Sequence, residues 1–272
     1  MEASHSSIVS AKQELEDTLE TCRKWMFDNK LCLNESKTEF IIFGRKHRLR
    51  NLPNITLSLG DASITASGNV RNLGVVLDSE LSFHDHVSKV CSVCNFHIHR
   101  AWKIRKYITE DAAIKLMLAT VISRLDYCNA ILTNIQKKEI NRLQKIQNAA
   151  ARCISMCDRR SSITPVLKRL HWLPVEYRVR YKLLTTVHKC VYGNAPMYLK
   201  QLLQEYRPAR TLRSTCAKLL TVPKTRSSMG DRCFSVAGPT EWNKLPNALR
   251  NLPSFSCFKK HLKTYLFDLA YS

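Results

Sequence analysis

Two cysteines and two histidines at Cys91, Cys94, His97 and His99 have a spacing that is compatible with zinc binding. The surrounding residues, however, have the periodicity of an amphipathic helix. At about 100° per residue, the four side chains point in directions that are too widely spread to converge on one ion. We therefore predict no metal site. Cys91 and Cys94 are assigned to the apolar side of that helix. The same side is predicted to carry Val87, Val90, Ile98, Ala101 and Trp102.

The second group that could do chemistry is the trio His84-Asp85-His86, whose residue types serve in acid–base catalysis. Adjacent side chains diverge on a helix, so a shared catalytic role is not expected. The sequence also lacks the G-x-S-x-G, P-loop and G-x-G-x-x-G patterns. These observations predict no catalytic residue of those classes.

Cations are concentrated on one side of the segment 137–154, which has the pattern of an amphipathic helix. Its apolar side carries Ile140, Leu143, Ile146, Ala150 and Ile154. Its other side, called the basic face from here on, carries Lys137, Lys138, Arg142, Lys145 and Arg152. Lys103, Arg105 and Lys106, with Arg100, are predicted to extend this face. Such a face can bind phosphates without reading sequence, and an ordinary solvated helix surface is the alternative.

The charge of the chain is distributed unevenly. The whole sequence has 43 Lys and Arg against 22 Asp and Glu, a net charge of +21. Residues 1–80 carry 10 basic and 11 acidic side chains, residues 81–180 carry 18 and 7, and residues 181–272 carry 15 and 4. Because like charges repel, so basic a region favours a polyanionic partner, and RNA or DNA is the leading candidate.

The eleven cysteines do not predict a disulfide framework, because their number is odd and no signal peptide precedes them. Free thiols in a reducing compartment fit better, so we expect an intracellular protein, nuclear or cytoplasmic. No apolar run approaches the roughly 20 residues of a membrane span, and no membrane partner is expected.

The first 80 residues have the pattern of an α+β region. We predict a helix over 8–29, a strand over 40–44, a hairpin over 54–66 that turns at Gly60-Asp61, and a strand over 70–78. The rest is mainly helical. Helices are predicted over 84–102, 111–131, 137–154, 175–192, 198–203 and 255–267, a loop over 206–217, and short strands over 219–222 and 233–236. The predicted class is therefore α+β and mostly helical, with a small antiparallel sheet at the N-terminal end and a helical bundle.

Three segments resemble the end of a reverse transcriptase of non-LTR (LINE-type) retrotransposons, of the jockey and chicken-repeat branch. The first is Trp25-Met26 followed by Leu31-Cys32-Leu33-Asn34-Glu35-Ser36-Lys37-Thr38-Glu39. The second is Asn72-Leu73-Gly74-Val75-Val76-Leu77-Asp78 with Leu81-Ser82-Phe83 and His86. The third is Leu219 to Val222, Pro223-Lys224-Thr225-Arg226, Gly230-Asp231-Arg232, Phe234-Ser235-Val236-Ala237-Gly238-Pro239, Trp242-Asn243 and Leu245-Pro246.

The resemblance implies three regions: the end of a polymerase palm over 1–80, a helical thumb over 81–155, and a basic C-terminal extension over 156–272. In this family the catalytic loop contains paired aspartates that hold two divalent metal ions. No Asp-Asp pair occurs in the sequence. We therefore expect no polymerisation by this chain, and magnesium only in a complete polymerase that contains the palm and fingers.

The resemblance also implies individual roles. Lys37 would lie near nucleotide phosphates, Leu73 and Gly74 would lie on a hairpin that supports the primer end, and His86 would be structural at the start of the thumb. The expected capacity is nonspecific RNA or DNA binding. Two alternatives stay open: a non-catalytic nucleic-acid or ribonucleoprotein accessory protein, and a translated relic without function.

Overall fold

The computed structural model describes residues 5–60, 62–158, 160–206 and 218–272, and it divides into two units, Met1–Asp85 and His86–Ser272. Over these residues the chain is mostly helical, with two small antiparallel sheets of two strands each, both in the first unit. This confirms the predicted α+β, mostly helical class. The division at Asp85 lies close to the expected boundary at residue 80, and the expected boundary at residue 155 falls within the second unit.

The first unit begins with a long helix and continues with two hairpins. Its helices are α1 (His5–Asp28) and α2 (Lys46–Arg50), and its strands are β1 (Thr56–Leu59), β2 (Ala62–Thr65), β3 (Asn69–Asn72) and β4 (Val75–Asp78). The pair β1–β2 confirms the predicted first hairpin, with Leu57 and Leu59 buried on one face. Gly60 has a φ of 59° in its turn, and Asp61 lies outside the described residues.

The segment 70–78 was predicted as one strand, and this is wrong. It folds back on itself as the hairpin β3–β4, with Asn72 paired to Val75. Leu73 and Gly74 form the turn and have φ values of 46° and 86°. Two central residues with positive φ define the tight turn that matches the natural twist of a hairpin. The predicted strand over 40–44 is also wrong, because Phe40 makes only an isolated bridge to Ala66.

A carboxylate organises the chain directly after β4. The Asp78 carboxylate accepts hydrogen bonds from the backbone N–H groups of Glu80, Ser82 and Phe83, at 3.2, 2.8 and 2.7 Å. Leu81 and Phe83 have positive φ values of 50° and 59° in this turn. Asp78 therefore stabilises a tight turn in which Phe83 is buried. Leu77-Asp78 and Leu81-Ser82-Phe83 thus have a structural role in this turn.

The second unit is helical. Its helices are α3 (His84–Ile104, starting just before the boundary), α4 (Glu110–Met117), α5 (Ser123–Asp126), α6 (Lys137–Ser155), α7 (Thr164–Arg169), α8 (Val175–Val191), α9 (Met197–Lys200), α10 (Phe234–Asn243), α11 (Asn247–Arg250) and α12 (Phe255–Tyr271). None of the helices in the described ranges combines the length and apolar character that crossing a bilayer requires.

The main core of this unit is built by α8, α10, α11 and α12. Trp242, Phe258, Leu262 and Leu266 are all fully buried in it. The strand predicted over 233–236 is wrong, because these residues begin α10 and bury Val236. Residues 219–222 were also predicted as a strand, but the structure has only an isolated β-bridge there, between Leu220 and Glu205. The loop predicted over 206–217 lies, except for Tyr206, outside the described residues.

The helix predicted over 111–131 is divided into pieces. α4 continues through a π-helical turn, Leu118–Ile122, into α5, and a 3₁₀ turn follows at Asn129–Leu132. A π turn makes room for one extra residue, so the apolar side shifts around the helix without ending it. Val121 and Ile122 are buried in this turn.

Candidate nucleic-acid interface

Helix α6 has two chemically different sides, as its sequence pattern predicts. Leu143, Ile146, Ala150 and Ile154 are buried and hold the helix in the second unit. Lys137, Lys138 and Lys145 of the basic face are exposed. The burial of one side therefore fixes the direction in which the lysines of the other side point.

Three members of the basic face form a line along α6. Lys138, Lys145 and Arg152 are seven residues apart, which corresponds to two helical turns, or about 10.5 Å per step. Arg152 is half-buried, and its Nη2 donates to the carbonyl oxygen of Ser161 at 3.3 Å. Its Nε is buried and has no hydrogen-bond partner among the described residues. Lys138 and Lys145 are thus the more accessible charges of this line.

Arg142 differs from the other members of the basic face. Its guanidinium forms an ion pair with Glu139 at 2.7 Å and donates to the Ser88 hydroxyl at 2.9 Å. The Glu139 carboxylate is almost fully buried, with 2% of its side chain exposed. A buried carboxylate requires a counter-charge, so the charge of Arg142 compensates Glu139 first. This pairing was not predicted from the sequence.

Arg105 was predicted to extend the basic face, and this is wrong. Only 8% of the residue is exposed, and its guanidinium donates to the carbonyl oxygens of Cys153, Ile154 and Ile108 at 3.0, 2.7 and 2.8 Å. The last carbonyls of a helix have no partner within the helix. Arg105 supplies donors for two of them at the end of α6, so it is a structural residue and its charge does not face solvent.

Lys103 and Lys106 remain exposed, as the prediction requires. The Lys106 ammonium lies over the ring of Tyr107, 4.8 Å from its centroid. Nearby, the Arg100 guanidinium lies 5.4 Å from the centre of the Phe96 ring. The exposed surface of α3 and of the turn after it therefore alternates cations with aromatic rings, which is a feature the sequence prediction missed.

A groove of about 1130 Å³ lies between α3 and α6. Asn95, His99 and Trp102 line its α3 side, and Lys145, Ala149 and Arg152 line its α6 side. Trp102 was predicted to belong to the apolar side of α3, and the structure corrects this, because 42% of the residue is exposed. Its neighbours on that side, Ile98 and Ala101, are buried as predicted.

The remaining predicted site residues lie in the first unit. Lys37 is exposed at the end of a 3₁₀ turn, Glu35–Lys37, where its backbone N–H donates to the Asn34 side chain at 3.1 Å. Leu73 is 84% exposed at the tip of the β3–β4 hairpin, next to Gly74. Lys37 therefore lies in a 3₁₀ turn and Leu73 and Gly74 in a hairpin turn of the first unit.

The cysteine and histidine cluster of α3 is divided by burial. Cys94 is fully buried, and burial raises the pKa of its thiol to about 11. Burial also raises the pKa of Cys91 and lowers the pKa of His97. Across the described residues, no three His, Cys, Asp or Glu side chains are grouped to hold a metal ion.

His86 is buried at the start of α3, and burial lowers the pKa of its imidazole, with a smaller contribution from Lys89.

No protein-family model, no curated protein and no solved structure matches the chain.

Proposed function

We propose that the second unit, His86–Ser272, binds RNA or DNA through backbone phosphates, along the exposed cations of α6 and the end of α3. The observation that carries this proposal is the arrangement of Lys138, Lys145 and Lys103, which are exposed on helices anchored by buried side chains. No carboxylate of the described residues forms an ion pair with them. Their charges are thus available to an external polyanion.

The charge of the whole unit supports the same proposal. Residues 86–272 contain 33 Lys and Arg against 10 Asp and Glu. Each phosphate that a cation neutralises releases a condensed counterion, and this adds affinity for any nucleic-acid sequence. Lysine ammonium groups contact phosphate oxygens and carry no base information in doing so. We therefore expect binding that is strong at low salt and indifferent to sequence.

We also propose that the chain is related to the end of a non-LTR retrotransposon reverse transcriptase, as its sequence segments suggest. The Asp-Asp pair of that family's catalytic loop does not occur in the sequence. Polymerisation is consequently not part of the proposed function. Primer extension with magnesium or manganese, using the purified chain and an RNA template, tests this point, and templated extension would contradict it.

The proposal is tested by binding to a labelled RNA–DNA hybrid. Affinity is measured by fluorescence anisotropy at salt concentrations from about 50 to 200 mM. If about five phosphates are neutralised, log affinity falls with log salt with a slope of about −4. A folded sample that shows weak binding, or binding that does not change with salt, would overturn the proposal. Circular dichroism of the same sample establishes that it is folded, and so separates this outcome from that of an unfolded relic.

A further inference from the structure

The groove between α3 and α6 has two lines of side chains that face each other. Asn95, Ile98, His99 and Trp102 follow the i, i+3, i+4, i+7 spacing that places residues on one side of a helix. Lys145, Ala149 and Arg152 follow the i, i+4, i+7 spacing on α6. One line is thus rich in ring and amide groups, and the other carries two cations around a small residue.

Trp102 is the member of the first line with the largest ring. It is 42% exposed, whereas Ile98 beside it is 5% exposed. An indole offers a flat π surface, and nucleobases stack on such surfaces in proteins that bind single strands. The opposite line places the Lys145 ammonium and the Arg152 guanidinium at the same groove, where they can contact the phosphates that flank a stacked base.

Size and charge also fit a nucleotide. Ligand sites commonly have volumes of about 300 to 1000 Å³, so a groove of about 1130 Å³ can hold at least one nucleotide. Among its described lining residues Asp158 is the acidic one, and it already has an interaction within the chain. Asn95 and His99 lie beside Trp102 and can donate or accept a hydrogen bond at a base edge.

From this geometry we propose that the groove binds an unpaired segment of RNA or DNA, with one base stacked on Trp102 and flanking phosphates on Lys145 and Arg152. This inference rests on the proposed function and adds that the interface distinguishes single strands from duplexes. In a duplex each base is stacked between its neighbours, so its faces are not open to an indole. A single strand can turn one base out of its own stack at little cost.

Three probes of equal length separate stacking from phosphate contact: an oligothymidylate, an abasic sugar-phosphate strand, and a DNA duplex. Trp102→Ala weakens binding of the oligothymidylate by about 5- to 150-fold, the range expected for losing one stacked base. Trp102→Phe weakens it less, because a smaller ring still stacks. The same variants leave binding of the abasic strand unchanged. Tyr198→Ala, which removes another exposed ring of the same unit, changes binding of every probe by less than about twofold.

Tryptophan fluorescence gives a second readout that does not depend on the stability of Trp102→Ala. Trp172 and Trp242 are buried, so a base that quenches indole emission must reach Trp102 or Trp25. The oligothymidylate quenches emission of the natural chain and of Trp25→Phe, and this quenching is lost in Trp102→Phe. The abasic strand does not quench the emission of any of these three chains.

Two results would overturn this inference and leave the proposed function intact. The first is that all three probes bind equally well and that no Trp102 variant changes their affinity. The second is that the oligothymidylate still quenches the emission of Trp102→Phe. Failure of the natural chain to bind any of the three probes at low salt would instead overturn the proposed function, and this inference with it.

Discussion

The two units of the chain differ in both core and charge. In the described part of the first unit, the buried apolar side chains are Leu57, Leu59, Val70, Val75 and Phe83. Its longest helix, α1, has no buried side chain among those described, and Trp25 and Phe27 are 61% and 75% exposed. Residues 1–85 carry 10 basic and 12 acidic side chains, so this unit is close to neutral.

The second unit has a deep core and carries the positive charge. Fully buried aromatic and leucine side chains meet in it, among them Trp242, Phe258 and Leu262. A strongly basic unit is destabilised by repulsion between its own charges. Its core must therefore supply more free energy of folding than a neutral unit of the same size would need.

Removal of one large ring from each unit gives the largest contrast. Phe258 is fully buried and stacks on His188 with a centroid distance of 4.1 Å. We expect Phe258→Ala to lower the free energy of unfolding by about 3 to 5 kcal/mol. Phe27→Ala in the first unit should change it by less than about 0.5 kcal/mol, because that ring is exposed. Urea denaturation measures both, and equal losses would contradict the assignment of the core.

The next contrast lies within the second unit, between a buried and an exposed cation. Arg105→Met keeps the aliphatic volume and removes the donors to three carbonyl oxygens, so we expect a loss of about 3 kcal/mol in unfolding free energy. Lys106→Met should cost less than about 0.5 kcal/mol, because Lys106 is exposed. If Arg105→Met left stability unchanged but weakened nucleic-acid binding, Arg105 would be a phosphate ligand after all.

A buried histidine gives the second unit a pH dependence of stability. His188 is fully buried between Tyr192 and Phe258, and its Nε2 lies 2.8 Å from the carbonyl oxygen of Leu252. Burial lowers its pKa; Lys218 lowers it further, and the Leu252 contact partly opposes the shift. Below the unfolded-state pKa of about 6.5, His188 therefore binds a proton more readily in the unfolded chain than in the folded chain.

The expected result is that unfolding free energy falls as pH decreases below about 6.5, by up to about 1.4 kcal/mol per pH unit from this group. His188→Gln retains a donor for Leu252 and removes the titrating group, so its stability should depend less steeply on pH between about 6.5 and 5. Thermal or urea unfolding at several pH values compares the two chains. Parallel pH profiles would show that His188 does not cause the dependence.

The helices that the sequence predicted correctly are those with a long amphipathic period, such as α1, α6, α8 and α12. Short apolar runs were assigned less well: 40–44 and 233–236 were predicted as strands, and the second begins a helix. Over four or five residues, a strand and a buried helical turn have the same apolar pattern, and only tertiary packing decides between them.

The candidate site was predictable in its chemistry and less so in its details. Spacing alone placed Lys138 and Lys145 on the solvent side of α6. It could not show that Arg105 turns inward, because this depends on unpaired carbonyls about 48 residues further along the chain. Nor could it show that Trp102 borders a groove, because the opposite wall belongs to another helix.

Two triple variants with the same change in charge show whether the basic face binds phosphates. The first removes Lys103, Lys138 and Lys145 by substitution with alanine, and the second removes Lys259, Lys260 and Lys263 of α12, which are also exposed. Affinity for the RNA–DNA hybrid is measured across salt for both. The account predicts that the first variant makes the slope of log affinity against log salt shallower by about 2 to 3, and the second by less than about 1. Equal reductions in slope would contradict it, because they would mean that net charge, and not the basic face, determines binding.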